Sequence, residues 1–408
     1  MIKNKRFLIS HIWLKGFGGA EINILELTKY LLSKGAYVDI FTYVLKNPLM
    51  EEFEKLNVNI ITDINYNFKL KEYDYVWSCQ NIIPNNMIQD LAMHKNGELP
   101  YFIFMHMAAL PEYVLEQPYI FDLENRISSK TLAISDEIVK KNLSNFFDKI
   151  PSLSYYRNPA PVEFCRIKKD NCKRLSKILA ISNHPPEEIK ELSEYEDIEI
   201  DFMGVWSDNY KLATAELFNQ YDCVIGIGKN VQYCLVSSIP IYIYDHFGGP
   251  GYLNEDNYSL SEQNNFSGRG FGKKTSQTIY NELINNYKLA LEYQSANRKG
   301  YIEKFSINEV VPNILKTLNK KKDISLSYKY VNYIISINRF VEDSYVKLTE
   351  DKNNLLDAIR FKDNELARIS KDNDILRNDC ISKDLELSSI KNTKFFKYYK
   401  IINKLFKS

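Results

Sequence analysis

The chain has 408 residues, 45% of them hydrophobic, and 53 Lys+Arg against 52 Asp+Glu give a net charge of +1. That length predicts two domains with an appendage, the apolar content excludes a disordered chain, and the balanced charge excludes bulk nucleic-acid binding. The cysteines form no Cys-x-x-Cys pair, and the nearest two, Cys165 and Cys172, lack the second half of a zinc site, so a reduced, intracellular compartment is expected.

In chain order, "MIKNKRFLIS" has too short an apolar run for a signal peptide, and no later run is long enough to span a membrane. "FLIS" (7–10) reads as a short buried strand. "GFGGAE" leads into "INILELTKYLLSKG", where Ile24, Leu27, Leu31 and Leu32 share one helical face and Gly35 closes the helix. "YVDIFTY" (37–43) completes a βαβ unit. "VNIITD", "YDYVWSC" and "YFIFMHM" add strands, and "TLAISDEIVKKNL" adds a strand and a helix with Ser135 or Asp136 as N-cap. "SYYRNPAPVEF" (154–164) carries closely spaced prolines and reads as an irregular crossover. The alternation restarts with the strand "SKILAIS" and the helix "PPEEIKELSEY". The strand "IEIDFMG", the helix "KLATAELFNQ", the strand "DCVIGIG", the helix "NVQYCLVSS" and the strand "IPIYIYD" follow. The expected class is α/β, with two Rossmann-like domains (1–155 and 156–322) facing a cleft.

Residues 323–390 read as a helical linker and coiled coil. With Tyr345 at a, the a/d seam includes Leu348, Leu355, Ile359, Leu366, Ile369, Leu376, Cys380, Leu387 and Ile390, interrupted by Lys352, Lys362, Asn373 and Lys383. The alternative is one long solvated helix packed back on its own domain. In 391–408, Lys391, Lys394, Lys397, Lys400, Lys404 and Lys407 lie opposite Phe395, Tyr398, Tyr399, Ile402, Leu405 and Phe406, with no acidic residue. This describes an interfacial helix on an anionic membrane, or else a helix that caps a coiled-coil bundle.

Three glycine-rich stretches end strands. In "KGFGGAE", Gly18 and Gly19 open a helix whose N-terminus suits an anion or a sugar; a tight turn is the plainer reading, and no Gly-Lys-Ser/Thr follows to make a P-loop. In "GIGKN", Gly226 and Gly228 permit close backbone approach, Lys229 adds a charge and Asn230 can cap the helix, which together suit a diphosphate. In "YIYDHFGGPGYL", Asp245, His246 and a flexible Gly248-Gly249 loop stand where open α/β sheets bind ligands. The loop "NNFSGRGFGKK" places Arg269, Lys273 and Lys274 beyond them, either to stabilise a leaving group or simply as solvated charge. His106, at the end of "FIFMH", is expected to face the cleft, although a lone histidine there is more often structural.

"GGAEINILELTKYLLSKGAYVDIFT", "TLAISDEIVKK", "RNPAPVEF" and "GIGKNVQYCLVSSIPIYIYDHFGG" resemble segments of bacterial glycosyltransferases of the GT-B fold, near family 4, over about residues 1–320. The usual pair of donor-site glutamates is missing: Ile225 and Tyr233 occupy those positions. The resemblance implies an enzyme that transfers a sugar from a nucleotide-diphosphate sugar, with a UDP-sugar favoured, to a cell-surface glycan or lipid-linked acceptor, without metal or other cofactor. It implies donor contacts by Gly18, Gly19, Asn183, His184, Gly226, Gly228, Lys229, Asn230, Tyr233, His246, Gly248, Gly249 and Arg269. His106 would contact the transferred sugar, and Asp245 would stand in for a missing glutamate. The coil implies a homo-oligomer, and the basic tail a cytoplasmic protein held on the inner face of the plasma membrane. The missing glutamates equally suit a non-catalytic GT-B scaffold that gathers partner transferases.

Overall fold

The computed structural model describes residues 2–94, 98–167, 174–321 and 324–405. Cys172, Phe406 and Lys407 lie outside the described residues, as does the side chain of Lys404. A first unit runs to Arg339 and a second from Phe340.

The first unit holds two sheets. The strands of the first are β1 (Arg6–Leu14), β2 (Tyr37–Leu45), β3 (Asn59–Ile61), β4 (Tyr75–Cys79), β5 (Tyr101–His106), β6 (Ser128–Ala133) and β7 (Ser154–Tyr155), in the order β3-β2-β1-β4-β5-β6-β7. Every pairing in this sheet is parallel. The strands alternate between two buried faces: Phe7 and Ile9 enter the core shared with Ile24, Leu27 and Leu31, while Leu8 enters the opposite core with Val76, Phe102 and Phe104. Burial on both faces explains why the strands read as continuous apolar runs. The helix Gly19–Ser33 ends as the sequence indicates: Gly35 N–H reaches Leu32 O and Ala36 N–H reaches Leu31 O, a Schellman closure. Ser135 caps the helix Asp136–Lys141 by accepting from Ile138 N–H.

The second sheet contains β8 (Lys177–Ile181), β9 (Glu199–Met203), β10 (Cys223–Gly226), β11 (Ile241–Asp245) and β12 (Gly248–Tyr252), in the order β12-β11-β10-β8-β9. All pairs are parallel except β11 with β12. Here the sequence reading needs correction: the Gly248-Gly249 stretch is an edge strand and not a flexible loop. A Cβ on Gly248 would lie 2.4 Å from Gly272 O and one on Gly249 2.0 Å from Ile243 O, so these glycines serve close backbone packing.

The domain boundary also shifts. The segment at Ala160 and the chain at Ser306 cross between the sheets side by side, joined by Ala160 N–H to Phe305 O and Ile307 N–H to Ala160 O. Beyond that point the chain returns to the first domain. Ile307, Val311, Ile314 and Leu315 of the helix Ile307–Lys316 join its core, as do Val331, Ile334 and Ile335 on its other face. Asn338 fixes the return by donating to Ile83 O and Asn85 Oδ1.

The helix that starts at Tyr328 runs to Asn392, and a second helix covers Lys394–Leu405. Within the second unit Leu348, Leu355, Ile359, Leu366, Ile369, Leu376, Cys380, Leu387 and Ile390 are exposed, and so are Phe395, Tyr398, Tyr399, Ile402 and Leu405. No helix among the described residues is long and apolar enough to cross a membrane.

A cleft between the sheets as the candidate active site

The carboxyl ends of both sheets open on one cleft of about 410 Å³. Each sheet has its topological switch there, between β1 and β4 in the first and between β8 and β10 in the second. Gly18 and Gly19 line it from the first domain. Asn183, His184, Gly228, Lys229, Asn230, Tyr233, Asp245, His246 and Arg269 line it from the second. His106, Gly226, Gly248 and Gly249 do not.

Two helices point their N-termini into this space. The helix Gly19–Ser33 starts after Gly18, and Lys229–Ser237 starts after Gly228, which is its N-cap in place of the expected Asn230. The first-turn N–H groups of a helix have no intrahelical partner and carry a partial positive charge. Gly228 adopts φ +58, and a Cβ there would meet nothing within 4 Å; the same open space lies before Gly19. A ligand can therefore approach both backbones closely.

The cations of the second domain behave differently from the expectation. Lys229 is buried, with Nζ 2.6 Å from Glu26 Oε2, and it donates to Asn23 Oδ1 (2.8 Å) and Pro159 O (2.9 Å). Burial pulls the Lys229 ammonium down and pushes the Glu26 carboxyl up from their ordinary values, and each opposes the other's shift by attraction. Tyr233 donates its hydroxyl to the same Glu26 and stacks on Phe164. Arg269 forks onto Glu137 of the first domain, Nε to Oε1 at 2.9 Å and Nη2 to Oε2 at 2.5 Å. Asn158 bridges Asn23 and Asn265, and Tyr210 accepts from Phe17 N–H. Charges expected to meet a phosphate are thus matched across the domain interface.

His106 requires the largest correction. It is 3% exposed, with Nε2 3.0 Å from Glu124 Oε2 and its ring edge-on to Phe147. Glu124 is fully buried and also accepts from Asn81 Nδ2 and Thr131 Oγ1. The imidazole completes an internal network on one face of the sheet and does not open into the cleft. Asp245, by contrast, does line the cleft, accepting from Ser182 Oγ at 3.0 Å and from the His246 N–H at 2.8 Å.

Glu26, Glu137, Glu116 and Tyr210 carry no motif that marks them in the sequence. Glu26 alone has a readable signal, since it shares a helical row with Ile22 and Tyr30, and a carboxylate on a buried row requires a partner. Glu116 follows β5 in an irregular loop.

A search against family models found no match, and no curated protein matches in sequence. Solved structures do match. A glycosyltransferase from Rickettsia africae superposes with a TM-score of 0.50 at 15% identity, covering 77% of this chain and 97% of that one. The fold is GT-B. Arabidopsis thaliana UGT89C1, complexed with quercetin, is similar at a TM-score of 0.48 and 10% identity, over 77% of this chain and all of that one. MnaA from S. aureus with UDP gives 0.44 and 10%, over 79% and 100%. The GT-B cleft here matches the expected two-domain arrangement, and the long helices from Tyr328 onward are an addition beyond it.

Proposed function

We propose that the chain is a glycosyltransferase that transfers a sugar from a nucleotide-diphosphate sugar, with UDP favoured, to a cell-surface glycan or lipid-linked acceptor. The observation that carries this reading is the convergence of two helix N-termini, at Gly18-Gly19 and Gly228, on one cleft of a GT-B fold. The diphosphate would lie between them, bound by first-turn N–H groups and both helix dipoles. With Lys229 and Arg269 paired internally, the exposed Lys211 and the cleft-facing His184 and His246 are the remaining basic side chains of the second wall. Asn183 and His184, at the end of β8, would contact the nucleoside side of the donor, and Asp245 the transferred sugar. His106 has no catalytic role in this reading, because its ring is buried. Metal would not be required, because the two N-termini supply positive potential at the leaving diphosphate.

Calorimetry and thermal shift with UDP, GDP, CMP and dTDP test the donor site. Binding of one nucleotide in the micromolar range is the expected result. No response to any of them would move the chain to the non-catalytic scaffold reading.

The second unit would associate copies through its exposed apolar seam and hold them on an anionic, cytoplasmic membrane face through Lys391, Lys394, Lys397 and Lys400 with Phe395, Tyr398 and Tyr399. Each lysine near such a surface contributes about 1 kcal/mol, fading with salt. Removing residues 391–408 should release the chain from anionic liposomes at low salt and leave nucleotide affinity unchanged. Equal sedimentation of both forms refutes the membrane role.

A further inference from the structure

The first-domain wall of the cleft contains a carboxyl group that no donor contact engages. Glu116 lies in the loop after the carboxyl end of β5, in the short 3-10 turn Val114–Glu116, and faces the cleft beside Leu110 and Tyr113. Among the described residues that line the cleft from the first domain, it is the only carboxyl. Its surroundings are unusual for a surface glutamate. Gln80, at the end of β4, is 3% exposed, held at φ +59, and has neither amide atom in a well-formed hydrogen bond. Glu21, in the first turn of the helix Gly19–Ser33, is buried nearby and fixed by accepting from the N–H groups of Lys15 (3.0 Å) and Gly16 (3.1 Å). Burial pushes the Glu116 carboxyl up to about 7; the Gln80 amide and Lys15 work against that, and the Glu21 carboxylate reinforces it. A group that exchanges a proton near neutral pH, set in the first-domain wall beside the Gly18-Gly19 loop while Gly228, Asp245 and His246 line the cleft from the second domain, suits general base work.

We propose that Glu116 removes the proton from the acceptor hydroxyl, and that transfer is a single displacement with inversion at the anomeric carbon. This rests on the glycosyltransferase reading above. The acceptor O–H proton passes to the Glu116 carboxylate as the acceptor oxygen forms its bond to the anomeric carbon. The bond from that carbon to the diphosphate oxygen breaks, and its electron pair leaves with the nucleotide diphosphate toward the two helix N-termini. The other candidates are placed elsewhere. Glu21 is tied to two backbone N–H groups, His106 is sealed against Glu124, and Asp245 and His246 stand on the donor wall.

The test uses the full chain with UDP-, GDP-, CMP- and dTDP-sugars and water as the acceptor. Nucleotide release is followed by chromatography and the anomer of the freed sugar by proton NMR, with calorimetry on the free nucleotides in parallel. Glu116→Gln should slow release by about 10²–10⁴-fold, the range for loss of a general base. Nucleotide affinity should stay within about twofold. Glu116→Asp should recover part of the rate, and the first sugar anomer formed should be inverted. The wild-type rate should rise with pH through about 7, and Glu116→Gln should lose that limb. Release by Glu116→Gln within about threefold of wild type, a retained anomer, or a wild type that binds nucleotide yet consumes no donor overturns the assignment. Failure of every nucleotide to bind is a different result, which overturns the donor site first and this inference with it.

Discussion

The helix Gly19–Ser33 and the helix Lys229–Ser237 both follow a glycine N-cap at the cleft edge, one from each domain. By sequence alone, the helix Lys229–Ser237 is the better equipped for a phosphate, because a lysine follows its glycine. In the fold the two helices are more alike. Lys229 turns inward to Glu26, a residue of the helix Gly19–Ser33, so the charges of the two helices bind each other and the backbone is left to face the ligand. A basic residue beside a glycine loop indicates phosphate binding only when no buried carboxylate claims it first.

Breaking that pair should have the largest effect. Lys229→Ala leaves the Glu26 carboxylate buried without its counter-charge, which costs about 3–5 kcal/mol. A large fall in melting temperature is expected, whereas Lys229→Met combined with Glu26→Gln should fall much less. If Lys229→Ala melts like wild type but loses nucleotide affinity, the lysine is a phosphate ligand after all and the comparison fails.

Gly228→Val sharpens the same point from the backbone side. A non-glycine residue at φ +58 and ψ −128 lies outside the left-handed helical region as well and is strained by about 1–3 kcal/mol, and the side chain enters open cleft. Both stability and nucleotide affinity should drop, while Gly19→Ala, at ordinary φ, should retain stability and lose affinity only modestly. Calorimetry and melting on the same preparations separate the two effects.

Asp245→Asn tests a residue that is both positioned and cleft-facing. The change removes the charge that accepts from Ser182 Oγ and His246 N–H, at about 1–2 kcal/mol of stability. Sugar transfer should fall further than this loss explains. Retained transfer with lowered stability would make Asp245 structural.

The smallest expected effect is electrostatic and confined to the first wall. The folded-state Glu116 holds its proton up to about 7, above the ordinary carboxyl range, so the folded chain binds more protons than the unfolded one in that window. Stability therefore falls as pH rises through the window. Glu116→Gln lacks this loss and should melt slightly above wild type at pH 8 and equally at about pH 4. A melting difference that is constant with pH contradicts the raised titration.

The parallel strands were legible because burial on both faces makes continuous apolar runs, as in "FLIS" and "IYIYD", and Gly35 and Ser135 were legible because caps are local. The edge strand β12 was not, because Gly-Gly-Pro-Gly has poor strand propensity and pairs only through contact with β11 and the glycine-rich loop beyond it. The return of Ile307–Lys316 and of Val331 to Ile335 to the first core was equally invisible, since apolar periodicity shows that a face is buried and not which core receives it.

The sequence by itself determined the two α/β halves, the glycine-opened helices at their strand ends, and the long helical addition after Tyr328, because each follows from local periodicity, capping and turn chemistry. Tertiary structure alone decided the chemistry of the cleft. Whether Lys229 or Arg269 presents its charge to a ligand depends on Glu26 and Glu137, and whether His106 presents its ring depends on Glu124; each pair meets only in the folded chain. A buried charge takes the nearest opposite charge because desolvation makes an unpaired one too costly, and sequence spacing does not encode that distance.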